Sequence, residues 1–281
     1  MVLSAAVDRL AQFYVAIGPT DQASPYIPTE YRSTWFLTPQ HHAQETLGFA
    51  SLYIPVALLA HAAATRDPRW KALPPARAPT KSDCALAFLA ASSYMMAFYF
   101  KLIVPGGWRL AYMLQPCHIL TATIAILCLM PGRRANYIFQ IYVTLSWSSW
   151  VAMAFPDLSD YEHELDMFNY WYEHILIVLI PVLLCRSGRY VFLGSWSFIL
   201  LGYMVTTLYH CIVLQVACLA TEVNIATMAS PPDMLAHLGI YYRAAQYVIC
   251  LTLHHVYNWV IVGTCYILAW VTTSSKQLKV E

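Results

Sequence analysis

Cys117 and His118 stand side by side in Gln115-Pro116-Cys117-His118, inside an apolar run that covers residues 110–130. A cysteine becomes a nucleophile once a base takes its proton, and a histidine is a base, a ligand or a hydrogen-bond partner. Other apolar runs carry His174, His210 with Gln215, Glu222 with Asn224, and Arg243 with His254. Ionisable groups within a membrane are costly and mark functional sites. A cysteine with a histidine from another helix is the constellation for acyl transfer: the thiolate attacks an ester carbonyl and the imidazole relays the proton. Neighbours on a helix point about 100° apart, so His118 suits Cys117 less well than a histidine brought to the same depth by another helix. His118 then reads as a helper or a helix–helix contact. Pro116 lacks an N–H, which loosens the helix one residue before the thiol and frees backbone groups to receive an oxyanion.

Composition dictates which elements must hold these residues. The chain has 281 residues, 59% hydrophobic and 11% charged, against about 25% charged in soluble domains. This is the balance of an all-α, polytopic membrane bundle. Apolar runs at about 45–65, 84–104, 110–130, 135–155, 168–185, 190–219 and 241–271 each approach the ~20 residues of a spanning helix, giving about seven. Pro105-Gly106-Gly107 and Pro131-Gly132-Arg133-Arg134 punctuate them as turns. The linkers after spans one, three, five and seven, with the tail, hold eleven of the 16 lysines and arginines, and an acidic loop around 157–166 lies on the other side. The positive-inside rule then sets the N-terminus outside or lumenal and the C-terminus in the cytosol.

Three segments follow: an N-terminal amphipathic and lumenal segment over 1–43, of which residues 1–18 read as a helix lying on the membrane and 19–44 as loop, a transmembrane catalytic domain over 44–272, and a cytosolic tail over 273–281. Asp8, Arg9 and Gln12 interrupt the first apolar residues, so no signal peptide is expected. The eight cysteines fall mostly in apolar runs without a CxxC pair, which argues against a disulfide or zinc framework. A net charge of +1 without a basic patch gives no nucleic-acid partner.

With that topology Cys117, His118, His174, His210, Glu222, Arg243 and His254 share the lumenal half of the bundle. A cysteine a few turns below the surface lies at the depth of a phospholipid's glycerol esters, and Arg243, Tyr247, Cys250, His254 and Asn258 repeat along one helix face. Several separate blocks then resemble the transmembrane protein 164 family of cysteine-dependent lipid acyltransferases. They are Leu114-Gln115-Pro116-Cys117-His118, Phe155-Pro156, Tyr172-Glu173-His174 with Pro181, Tyr209-His210, Val213-Leu214-Gln215, Thr221-Glu222-Val223-Asn224 and Tyr241-Tyr242-Arg243. The chain departs from the family's pattern at Gln115 (an asparagine is expected), at Glu173 (a glutamine is expected) and at His254-His255, which do not align with its late histidine.

The resemblance implies a seven-helix enzyme of the endoplasmic reticulum membrane that needs no coenzyme A or other cofactor. It would move a polyunsaturated acyl chain from a diacyl phospholipid donor to a lyso-ether phospholipid acceptor. By position, Cys117 is the nucleophile and His174 the catalytic histidine. His118, His210, Gln215, Glu222, Asn224, Arg243 and His254 support them or bind substrate, with Glu222 or Asn224 orienting a histidine and Arg243 taking the headgroup phosphate. Three other readings use the same residues. Facing histidines also ligate haem in redox bundles, water in place of a lysolipid makes a hydrolase, and seven spans alone invite a receptor by fold analogy.

Overall fold

The computed structural model describes residues 2–19, 26–158 and 161–277, so Pro25, Asp160, Lys279 and the rest of the tail from 278 lie outside the described residues. α1 (Val2–Ile17) is the expected amphipathic helix, but it is docked rather than simply lying on a surface. Its Tyr14 hydroxyl donates to Thr46 Oγ1 at 3.0 Å, and Ala11 and Tyr14 pack against Ala43 and Leu219. α2 (Pro39–Arg66) begins where Thr38 accepts from the His41 N–H and Pro39 occupies the first helical position, both strong start signals. α3 (Pro68–Ala72) is a short turn of helix capped by Asp67, and α4 (Lys81–Leu102) opens with a capping box between Thr80 and Asp83.

The run at 110–130 is not one helix. Gly106 and Gly107 take φ of +75° and +60°, and the chain continues as a 3-10 stretch over Pro105–Leu114. Gln115 is then extended, as a residue before proline must be. Pro116 begins α5 (Pro116–Leu129), and the two helical pieces meet at 65°. Pro116 therefore starts a helix, where its missing N–H costs nothing, instead of loosening a continuous one. The run at 135–155 is likewise split at Ser146 into α6 (Arg133–Leu145) and α7 (Trp147–Ala154), with the Ser146 hydroxyl turned back onto the Val143 carbonyl at 2.8 Å.

α8 (Glu164–Arg186) follows the acidic loop. α9 (Trp196–Leu208) runs through a π-helical turn (Tyr209–Leu214) into α10 (Gln215–Thr221). After α11 (Asp233–Ala236), α12 (Tyr242–Gln277) closes the described chain and carries helix past residue 273, where a tail was expected. Among the described residues four helices are long and apolar enough to cross a membrane: α2, α4, α8 and the continuous Trp196–Thr221. The bent pair around Gln115 makes a fifth. The chain is thus an all-helical multi-pass membrane protein, and no strand occurs among the described residues.

α5, α6 and α8 form the centre. Leu120, Ile124 and Leu127 meet Ile177, Ile180 and Leu184, and Phe139 stacks on Tyr190 at 4.3 Å. In lipid such helices are held by packing and interhelical hydrogen bonds. At the end of the bundle away from Cys117, the buried Asp83 carboxylate accepts from Arg77 at 2.6 Å and from Arg189 at 3.3 Å, which ties α4 to the end of α8.

Candidate functional site

Cys117 is the second residue of α5 and lines a cavity of about 670 Å³. Lys101 of α4, Gln115, Ser148 and Ala152 of α7, Tyr170 and His174 of α8, and the loop 224–233 complete much of its wall. The first turn of a helix leaves its N–H groups without partners in the helix. Here Pro116 has none to offer and Ile119 donates to the Gln115 carbonyl at 3.2 Å. The N–H groups of Cys117 and His118 lie between these two, beside the thiol.

His174 reaches the same cavity from α8 and is 3% exposed. Its Nδ1 is 2.7 Å from the Tyr170 carbonyl oxygen. A carbonyl oxygen only accepts, so Nδ1 carries the proton and Nε2 keeps the lone pair. Tyr170 is fixed in turn by its hydroxyl, which donates to the Ala152 carbonyl at 2.7 Å. Among the described residues no direct hydrogen bond joins the thiol to the imidazole. Catalytic hydrogen bonds are often long before substrate arrives.

His118 points elsewhere. It is buried, with Nδ1 donating to Glu173 Oε1 at 2.8 Å, and the Thr121 hydroxyl donates to the same oxygen at 2.8 Å. Glu173 therefore clamps the first turns of α5 to α8, one residue before the histidine that faces the cavity. Spacing alone did not single out Glu173, although a carboxylate in the middle of an apolar run is itself a signal. The Cys117 sulfur, a His118 ring nitrogen and a Glu173 oxygen lie within 4.8 Å of one another, so among the described residues these three could hold a metal ion.

A second cavity, of about 280 Å³, adjoins the first at Pro116, Ser148 and Ala226. Ile119, Leu120, Leu145, Trp147, Val205 and Cys250 line it, together with His210, Tyr247 and His254. Most of the polar groups in this wall bond to the protein, His254 Nδ1 and Gln246 Oε1 being without a partner. His210 donates from Nε2 to the Ala226 carbonyl at 3.2 Å and accepts at Nδ1 from the Tyr247 hydroxyl at 3.0 Å. His254 donates from Nε2 to the Ile199 carbonyl at 2.9 Å, and the Tyr209 hydroxyl donates to the Leu114 carbonyl. The surface left to a guest is hydrocarbon-like. His210 stands in the π-helical turn, an irregularity frequent at functional sites.

The remaining candidates separate from the thiol. Arg243 is 1% exposed and is not at a headgroup position. Its Nη1 donates to Gln215 Oε1 at 2.6 Å, Nη2 lies 2.6 Å from His42 Nδ1, and Nε lies 3.0 Å from Glu45 Oε2. Arg243 and Gln215 thus form a buried cluster that ties α12 and α10 to α2. Asn224 does not orient a histidine either. Its Oδ1 accepts from the Ala229 N–H and its Nδ2 donates to Ser230 Oγ, both at 2.8 Å. These bonds shape a loop in which Ala226 and Thr227 hold positive φ. Glu222 ends α10 in the left-handed conformation, and its carbonyl accepts from the Ser33 N–H at 2.8 Å. The candidates therefore separate: Cys117, His174 and Asn224 line the first cavity with His118 behind the thiol, His210 and His254 line the second, and Gln215, Glu222 and Arg243 line neither.

A model of the TMEM164 family matches residues 36–271, a stretch that contains every one of these positions. A curated relative, "Transmembrane protein 164 homolog" of Dictyostelium discoideum, is 26% identical over 218 residues, covering 74% of this chain and 76% of its own length. No solved structure matches the chain.

Proposed function

The chain belongs to the TMEM164 family, and on that premise we propose that it is a phospholipid acyltransferase working through a Cys117 thioester. One observation carries the reading. The cavity that holds Cys117 and His174 mixes polar and apolar walls, and it adjoins an almost wholly apolar one at Pro116, next to the thiol. An ester carbonyl is the point of a phospholipid where the polar head ends and the hydrocarbon begins. A nucleophile at the junction of two such cavities is placed for that bond, with the acyl chain lodged in the apolar one.

His174 Nε2 takes the thiol proton as the sulfur attacks the ester carbonyl carbon. The N–H groups of Cys117 and His118 receive the charge that develops on the carbonyl oxygen. The tetrahedral adduct collapses, the C–O ester bond breaks, and His174 returns the proton to the departing glycerol oxygen. The acyl group is then held as a thioester. In the second half the hydroxyl of a lyso-ether phospholipid gives its proton to His174 and attacks the thioester. The C–S bond breaks and the thiol is regenerated. The reaction exchanges one ester for another and needs no coenzyme A. Glu173 holds the α5 start in place through His118 and Thr121.

Completing the membrane topology, we assign seven crossings, with the α6–α7 pair and α12 as the remaining two, the N-terminus lumenal and the endoplasmic reticulum as the host membrane. The test uses purified full-length protein, a diacyl phospholipid with a labelled acyl chain and a lyso-ether acceptor. Label is expected to move to the acceptor and, with acceptor withheld, to remain on Cys117 as a thioester visible by mass spectrometry. His174→Gln is expected to lose about a hundredfold or more of the transfer rate. Release of free fatty acid at a rate indifferent to acceptor would mean a hydrolase. Transfer that survives Cys117→Ala would end the thioester mechanism.

A further inference from the structure

We propose that Lys101 is the anchor for the phosphate of the lipid that enters the Cys117 cavity, an assignment that rests on the acyl-transfer reading of that site. Lys101 lies in the last turn of α4 and is 4% exposed, yet it lines the same cavity as the thiol and His174. It is the one lysine or arginine among the described residues of that wall. No described carboxylate lies within ion-pair distance of its ammonium. The Tyr161 ring, 5.6 Å away, faces it instead.

A desolvated ammonium with an aromatic face for company is expensive to keep, and the cost is recovered where an anion comes to meet it. The buried arginines at this end are engaged by the protein. Arg109 pairs with Glu162 at 2.9 Å, and Arg243 is enclosed by Glu45, Gln215 and His42. Glu30, Asp157 and Asp233 also line the cavity, and their charge repels a phosphate from their own part of it. Lysine binds phosphate as a compact point charge that does not demand a fixed orientation, which suits a headgroup that must arrive and leave. In a glycerophospholipid the ester carbonyl lies a few bonds from the phosphate. A lipid held at Lys101 therefore presents its ester to the remaining lining groups, Cys117 and His174 among them. The phosphate itself, free or in a headgroup, is the chemistry recognised, and the test below separates the two sources.

Purified full-length wild type, Lys101→Gln and Lys101→Arg are equilibrated with dioleoylphosphatidylcholine or dioleoylglycerol, and retained lipid is read by native mass spectrometry. Wild type is expected to retain the phospholipid at least about tenfold better than the glyceride. Lys101→Gln is expected to lose about tenfold of the phospholipid and none of the glyceride, and Lys101→Arg to stay within about twofold of wild type. Inorganic phosphate at millimolar concentration is expected to leave the lipid in place. Equal retention of the two lipids by wild type overturns the anchor whatever the variants do, as does Lys101→Gln that keeps its phospholipid or loses both lipids alike. Displacement by inorganic phosphate overturns the lipid as the source of the anion. Retention needs no turnover. If phospholipid binds through Lys101 and no acyl chain moves, the transfer reading falls and the anchor stands.

Discussion

The bundle contains two buried clusters of similar residues, and they do different work. His118, Thr121 and Glu173 join α5 to α8 beside Cys117. His42, Glu45, Gln215 and Arg243 join α2 to α10 and α12 and line neither cavity. Each contains a histidine and a carboxylate inside the bundle. The second is closed to both cavities, and the Arg243 guanidinium there meets Gln215, His42 and Glu45 of the protein itself. The first has an open side: the Cys117 thiol and the His174 Nε2 lone pair are left for something that arrives through the cavity. A closed cluster fixes helices, and an open one meets a substrate. Residue type does not distinguish the two.

The widest gap between them should appear in Cys117→Ala. It is expected to lose about ten-thousandfold of acyl transfer while its thermal unfolding midpoint stays within a few degrees of wild type. Collapse of both together would erase the contrast. Arg243→Met should show the reverse. It leaves Glu45 without its cation and costs about 3–5 kcal/mol of stability, read by thermal or denaturant unfolding in detergent, with transfer per folded molecule unchanged. A selective fall in turnover at normal stability would move Arg243 into the site. Glu173→Gln is intermediate, because a glutamine oxygen still accepts from His118 and Thr121. A loss of about tenfold in rate with less than about 1.5 kcal/mol in stability is expected, and an inert substitution would make the clamp on α5 dispensable.

The smallest effect lies outside both clusters, at Asp67 in the linker between α2 and α3. Hydrogen bonding from Arg69, helped by Ser195, holds its carboxyl below the usual carboxylate range. Its folded-state pKa is thus below the unfolded one, so its stabilisation is complete above the ordinary carboxylate value and is lost as pH falls through the lowered one. Asp67→Asn should cost under about 1 kcal/mol at neutral pH and remove that part of the acid sensitivity, measured as unfolding midpoint against pH. A larger cost would give this water-facing pair the weight reserved here for buried clusters.

The helices were largely legible because apolar runs are local: those at about 45–65, 84–104 and 168–185 coincide with most of α2, α4 and α8, although α2 starts earlier, at Thr38-Pro39, inside the stretch read as loop. The 3-10 path over Pro105–Leu114 was not, because it is held by Trp108, Ala111 and Tyr112 packing against Leu214, Val223 and Met228, contacts about a hundred residues away in the chain. For the site, topology gave depth, and depth placed Cys117 and His174 at one level. It gave no azimuth. Arg243 and His254 share that level but turn toward Gln215 and Ile199, a direction fixed only by packing. Lys101 escaped for a related reason. At the end of an apolar run it reads as an interfacial charge, whereas in the fold it is buried, with the Tyr161 ring over its ammonium.

The π-helical turn at Tyr209–Leu214 has a consequence for how this chain tolerates change. His210 looks into the apolar cavity from one side of the turn, and Gln215 meets Arg243 just past the other. Removing one residue from the turn would swing Gln215 by about 100° relative to His210. The guanidinium would lose its acceptor while the cavity wall stayed as it is. Residue count in this segment sets the phase between the two halves of the helix, much as tooth number sets the phase of two gears. Among relatives an insertion or deletion there is the change expected to be absent.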